Sequence, residues 1–180
     1  MGGLSVIQLK KKANDLRKEV ICMLEAAGSG HTAGSLDLAE IVTALYFRIL
    51  NIKPDEPNWD KRDIFFLSNG HTVPIQYAAM AEVGFFDKNE LKTLRKLGSR
   101  LQGHPERVRL PSLENTSGPL GSGLSQAAGV AYSFQWFLNS IQPLDFLHLS
   151  ASQLYAGLLC YRLSNSWICI NAFLVLKNMF

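Results

Sequence analysis

The chain has 180 residues, 47% of them apolar and 18% charged, with a formal net charge of +3 and a mean hydropathy of +0.06. Such a composition supports one globular core and excludes a disordered or fibrous chain. The charges are interspersed and form no stripe, so neither a nucleic acid nor an anionic membrane surface is expected as a partner.

Met1-Gly2-Gly3-Leu4-Ser5 has neither the charged start nor the apolar core of a secretory peptide. Leu9, Ala13, Leu16, Val20, Leu24 and Ala27 recur at intervals of three and four, which predicts an amphipathic helix ending at Gly28. Lys10-Lys11-Lys12 reads as its solvated face. Ser35 is expected to cap a second helix, with Asp37 in its first turn and Leu38, Ile41, Val42, Leu45 and Ile49 as its buried stripe, leaving Gly30 to Gly34 in the loop between the helices. A Pro-rich link over 52–59 leads to Ile64-Phe65-Phe66-Leu67, a short buried strand. Asn69-Gly70-His71 then lies at the strand's carboxyl edge, where open parallel sheets bind ligands.

A third helix is predicted from Pro74 to Val83, stopped by Gly84, and a fourth opens on Asp87 with Glu90 completing a capping box and closes at Gly98. Residues 99–117 form a long loop carrying His104, and long loops inside compact domains are more often functional than idle. From Gly121 the pattern Leu124, Ala127, Ala128, Ala131, Phe134 resumes a helix, so residues 118–123 present backbone amides at a helix start.

Composition changes after Trp136. Residues 1–136 hold 16 of the 18 Lys and Arg and 14 of the 15 Asp and Glu, whereas 137–180 carry only Asp145, Arg162 and Lys177. The chain therefore divides into 1–136 and an apolar tail, 137–180. The charge-free runs 146–161 and 163–176 are split by Arg162 and fall short of the roughly 20 apolar residues of a spanning helix, so no membrane anchor is expected. Trp167 to Ile170 and Ala172 to Leu176 are strand-like. The tail reads as a non-native carboxyl end, from a shifted frame or a truncated gene product, and is expected to pack loosely and favour aggregation. Cys22, Cys160 and Cys169 are odd in number and lack metal-ligand spacing, which fits a reducing cytoplasm.

Gly118-Pro119-Leu120-Gly121-Ser122-Gly123 permits close backbone approach to a flat or anionic ligand, although tight packing of loop on helix would use the same glycines. It has neither a phosphate-loop Lys nor the context of a dinucleotide site. His31, His71 and His104 each stand beside a glycine that exposes the ring. Each alone reads as a satisfied loop histidine; together they offer donors and acceptors to sugar hydroxyls and phosphate oxygens near neutral pH. A zinc triad would need a close-spaced ligand pair that is missing.

Gly30-His31-Thr32-Ala33-Gly34, Ser68-Asn69-Gly70-His71, Gly103-His104-Pro105-Glu106 and 116–123, taken in order from about Leu9 to about Trp136, resemble the amino-terminal part of transketolase. The resemblance is strongest to the amino-terminal subunit of split transketolases. It implies an α/β, thiamine diphosphate-binding fold with a partial parallel sheet flanked by helices. The implied reaction is transfer of a two-carbon ketol unit between sugar phosphates in cytoplasmic carbohydrate metabolism, the pentose phosphate pathway.

By resemblance, His31 and His104 contact substrate hydroxyls, His71 lies near the cofactor diphosphate and the reacting centre, and Gly118 and Leu120 approach the aminopyrimidine and diphosphate. The implied cofactors are thiamine diphosphate and a divalent metal, Mg or Ca. The implied partner is a carboxyl-terminal, pyrimidine-domain subunit that supplies an activating Glu, in a homo- or hetero-oligomer. Thr32-Ala33 replaces the usual Pro-Gly, and Asn69 replaces a common Lys. The Gly-Asp-Gly loop and later Asn that hold the metal in the family have no match after Trp136, so this chain is expected to be inactive by itself. One alternative is a non-catalytic remnant that binds a partner subunit. Another is a fragment of a deoxyxylulose-phosphate synthase-like enzyme, for which the Gly-His-Pro-Glu loop fits less well.

Overall fold

The computed structural model describes residues 4–141 and 173–176. Helix α1 spans Val6–Ala27; Ser5 caps it in a reciprocal box with Gln8, and Gly28 ends it in the left-handed region at φ 63°. Ala13, Leu16, Val20, Met23 and Leu24 are its buried face. Of the Lys run, Lys10 and Lys11 are exposed, but Lys12 pairs with Glu82 and lies 5.5 Å from the Phe47 ring centre. Its stem covers apolar surface while its ammonium is neutralised, so it is not part of a purely solvated face.

The second helix starts earlier than expected. Helix α2 spans Thr32–Asp37 with His31 at its N-cap position, and Ser35 is internal, its hydroxyl donating to the His31 carbonyl at 2.9 Å. A hydroxyl bonded back one turn belongs inside a helix, which is why it caps nothing. Asp37 is accordingly the last residue of α2. Helix α3, Ala39–Ala44, follows directly and runs into a π-helical turn, Leu45–Ile49. Leu38, Val42 and Leu45 are buried as expected; the widened turn leaves Ile49 exposed.

Strand β1 spans Ile64–Leu67, and helix α4 spans Val73–Val83, with Pro74 in its first turn and Gly84 at φ 101° as its stop. Asp87 accepts from the Asn89 amide, but a 3₁₀ segment, Lys88–Thr93, replaces the fourth helix. Glu90 closes no capping box, because its carboxylate is taken by a two-point pair with Arg100 at 2.7 and 2.8 Å. Helix α5 spans Ser122–Ile141, so the change of composition at residue 136 falls within a helix.

Strand β2, Phe173–Leu176, coincides with one of the two strand-like runs of the tail. It pairs with β1 antiparallel, Ile64 opposite Leu176 and Leu67 opposite Phe173. The expected parallel pairing is not found among the described residues, because β2 enters beside the carboxyl end of β1 and runs back along it. The Trp167–Ile170 run, Cys160 and Cys169 lie outside the described residues, as does most of the tail for which loose packing is expected.

The alternation of β1 separates two apolar layers. Phe65 and Leu67 join the main core with α1, α3 and α4, while Phe66 packs with Ala127 and Ala131 of α5, and Ile64 with Val130 borders that cluster. Helices thus cover both faces of the strand, as α/β folds require. Among the described residues no helix is long and apolar enough to cross a membrane.

Candidate functional site

The carboxyl end of β1 is the meeting point of the glycine motifs. A Cβ on Gly70 would lie 2.7 Å from both the carbonyl oxygen and Oγ of Ser117 and 3.0 Å from Pro105 Cδ; one on Gly34 would lie 2.8 Å from Thr72 Cγ2; one on Gly123 would lie 2.6 Å from Ser68 Cα. These contacts seat the first loop against the second, the second against the third, and the start of α5 against the strand. Only glycine fits where backbone approaches this closely.

Side chains substitute for a neighbouring strand at Leu67. Asn115 accepts from its amide and donates to its carbonyl, each at 3.3 Å, and Ser117 Oγ donates to the same carbonyl at 2.7 Å. Gln126 of α5 holds Asn115 in turn, at 3.1 Å, and donates to the Thr116 carbonyl at 3.0 Å. The Ser117 amide donates to the Pro105 carbonyl at 3.2 Å, fixing the His104 loop to the turn that opens α5.

Three imidazoles gather above this edge. The ring centres of His31 and His71 are 5.2 Å apart and those of His31 and His104 are 6.4 Å apart, both pairs edge to face. His31 opens α2, His71 sits in the 3₁₀ turn Gly70–Thr72 that leads into α4, and His104 follows Gly103 in the long loop, its carbonyl receiving the Tyr77 hydroxyl at 3.5 Å. Burial, then the neighbouring His31, holds the His71 pKa below the ordinary imidazole value. Burial, then His31, Arg95 and His71, does the same for His104. Both rings therefore favour the neutral form, able to donate at one nitrogen and accept at the other.

Gly118 is half-buried beside Ser117, and Leu120 is 69% exposed. Ser68 Oγ and Asn69 Oδ1 are among the five buried side-chain polar atoms that have no hydrogen-bond partner among the described residues. Both stand just past the carboxyl end of β1, and Ser68 lies against Gly123 in the first turn of α5. Unpaired polar atoms, near-neutral imidazoles, close glycines and a helix start fit the diphosphate end of an organic cofactor. Among the described residues no group of three or more His, Cys, Asp or Glu is placed to hold a metal ion.

Sequence reasoning singled out the three histidines, quoted Ser68 and Ser117 within motifs without giving either a role, and did not name Asn115. Ser68 had a usable signal, a polar residue closing a buried strand next to a glycine. Asn115 and Ser117 had none, since their partner is backbone 48 and 50 residues away.

The fold and site define an α/β domain that presents imidazoles and glycine turns at a strand's carboxyl edge. The family model "Transketolase, thiamine diphosphate binding domain" matches residues 8–155, and the chain belongs to that family. Over 129 residues it is 40% identical to the 6-deoxy-6-sulfo-D-fructose transketolase subunit SqwG of Clostridium sp. (strain MSTE9), covering 72% of this chain and 47% of the relative. Over 129 residues it is 42% identical to Homo sapiens transketolase, covering 72% of this chain and 20% of the relative. The transketolase structure from Leishmania mexicana superposes with a TM-score of 0.68 at 34% identity, covering 74% of this chain and 20% of that one. The chain thus matches about half of a split-subunit relative and a fifth of a full-length one.

Proposed function

We propose that this chain is the cofactor-binding section of a two-chain, thiamine diphosphate-dependent transketolase. The observation that carries the reading is the convergence of His31, His71 and His104 on one another, in a chain whose β1 ends in the unpaired Ser68 and Asn69 atoms. When bound, the cofactor supplies a nucleophilic carbon that carries a two-carbon ketol unit from a ketose to an aldose. His71, nearest the strand edge, hydrogen-bonds the diphosphate end and faces the reacting centre. His31 and His104 take substrate hydroxyls, the His104 ring, held toward its neutral form, donating at one nitrogen and accepting at the other. Gly118 gives the aminopyrimidine and diphosphate close backbone approach. Leu120, exposed in this chain, approaches the same two groups of the cofactor, and a pyrimidine-domain subunit brings the activating carboxylate.

Sugar phosphates are the proposed substrate class. Two relatives that are themselves subunits carry sugar-specific names: SqwG, and the apulose-4-phosphate transketolase subunit of Actinobacillus succinogenes, 37% identical over 129 residues. A cytoplasmic location is proposed from the cysteine pattern. The boundary between the transketolase section and the tail is proposed at residue 136.

This chain contains no Gly-Asp-Gly. A diphosphate held without its divalent ion leaves its charges uncompensated, at a cost of order several kcal/mol per ion. Binding by the chain alone is therefore weak and turnover absent. Titration calorimetry with thiamine diphosphate and magnesium tests this: very weak or undetectable heat is expected, and low-micromolar, magnesium-dependent binding would refute it. The same missing motif favours a second reading, a non-catalytic remnant that binds the partner subunit. A stable complex with that subunit without any gain in cofactor binding would select it.

A further inference from the structure

Arg95 is the only non-glycine residue with positive φ among the described residues, at 61°. Its amide donates to the Leu101 carbonyl at 2.9 Å, so this left-handed turn closes the segment that leads into the His104 loop. Its side chain turns toward the site. A Cβ built on Gly103 would run into Arg95 Nε and lie 2.7 Å from Nη2 and 2.9 Å from Cζ, so the guanidinium rests on the glycine that precedes His104.

Its charge has no visible counterpart. Arg17, Arg62, Arg100 and Arg109 each pair with a glutamate, whereas Arg95, exposed like Arg48 and Arg107, shares with them the lack of an ion pair or side-chain hydrogen bond among the described residues and differs from them in lying against Gly103. An arginine on a left-handed backbone is strained relative to glycine, and a long side chain laid on a loop loses rotamer freedom. Helix formation explains neither cost, because the residue sits outside every helix.

We propose that Arg95 is the positioning residue of the His104 loop, its guanidinium lying on Gly103 and holding the imidazole toward His31 and His71. The purpose assigned to it rests on the proposed site, while its geometry does not. The charged and titratable groups acting on His104 are His31, Arg95 and His71, all cationic or potentially so, and burial acts in the same direction. A cation fixed beside the loop disfavours the imidazolium. His104 thereby keeps a free ring nitrogen that can accept a hydrogen bond from a sugar hydroxyl near neutral pH.

Two variants of the full chain separate this role from mere exposure. Arg95→Gln removes the charge. Gly103→Ala keeps the charge but places a methyl where the guanidinium lies, and the flexible end of the arginine can move away without disturbing backbone. The readout is the pH titration of the histidine rings by NMR, which needs neither cofactor nor turnover, with the core methyl signals of Leu110 and Leu113 reporting that each variant is folded. In both variants the His104 midpoint should rise by about half a pH unit, as expected for removal of one partly screened charge, with a smaller change at His71. A His104 midpoint that stays at the wild-type value in Gly103→Ala overturns the proposal, whatever Arg95→Gln does. Wild-type-like titration in these variants would sink the role of Arg95 while leaving the cofactor reading to the calorimetry.

Discussion

At the residue scale, glycine identity carries the architecture of the site. Gly70 is packed on Ser117 backbone, which cannot swing away as a side-chain end can. Gly70→Ala should therefore cost about 1–3 kcal/mol, the usual range for forcing atoms into a packed region, measured by urea denaturation. It should also shift the ring signals of His71 and His104, since Pro105 touches the same spot; an alanine variant of unchanged stability would contradict the packing. The imidazoles make a pH prediction. His71 and His104 have folded-state pKa values below their unfolded ones. Folding thus favours their neutral forms, and the stability this contributes is full above the ordinary imidazole value of about 6.5 and lost as pH falls through the depressed folded values. Thermal melting from about pH 7 down to about pH 5 should lose stability more steeply in the wild-type chain than in a His71→Gln, His104→Gln double variant. Equal slopes would mean that neither burial nor the neighbouring charges hold the two imidazoles below their ordinary value.

At the element scale, β1 is held on one side by side chains and not by a strand. Asn115 satisfies both polar groups of Leu67 and is itself tied to α5 through Gln126. Asn115→Ala leaves the Leu67 amide short of this partner in a buried place while its carbonyl keeps Ser117 Oγ, and a loss of about 1–3 kcal/mol is expected, again read by urea denaturation, together with faster amide exchange at Leu67. Ser5→Ala provides the contrast. It removes the α1 cap, far along the chain from the histidine loops, and should cost about 1 kcal/mol while leaving the imidazole signals unmoved. If Ser5→Ala disturbed the rings as much as Asn115→Ala, the site would not be organised around β1.

Element ends were legible in the chain where the signal is local. Gly28 and Gly84 stop α1 and α4 at the predicted places because each adopts a left-handed conformation that other residues resist. Ser35 and Glu90 misled for one reason: each found a competing partner, the His31 carbonyl and the Arg100 guanidinium. A cap signal is a capacity to bond, and tertiary neighbours decide which bond is made.

At the scale of the whole molecule, the proposed site is built from one chain but completed by others. Replacing 137–180 with a metal-binding segment of the family type and adding a pyrimidine-domain subunit should restore ketol transfer, because the remaining contacts lie before residue 136. On that background His104→Ala should lower turnover by roughly 10²-fold or more with little change in cofactor affinity, whereas His71→Ala should weaken both. A restored enzyme indifferent to all three histidines would show that the loops are structural. Steady-state kinetics and calorimetry on the same preparations separate the outcomes.

The sequence by itself determined the family, the histidines and glycines of the motifs, and the limits of the main helices, because those depend on residue identity, order and short-range periodicity. Only the tertiary structure decided that His31 and His71 lie 5.2 Å apart, that Asn115 and Ser117 stand in for a strand beside Leu67, and that β2 runs antiparallel to β1. Those arrangements join residues far apart in the chain, and such contacts are selected by how helices and strand bury their apolar faces together. No local pattern encodes that choice.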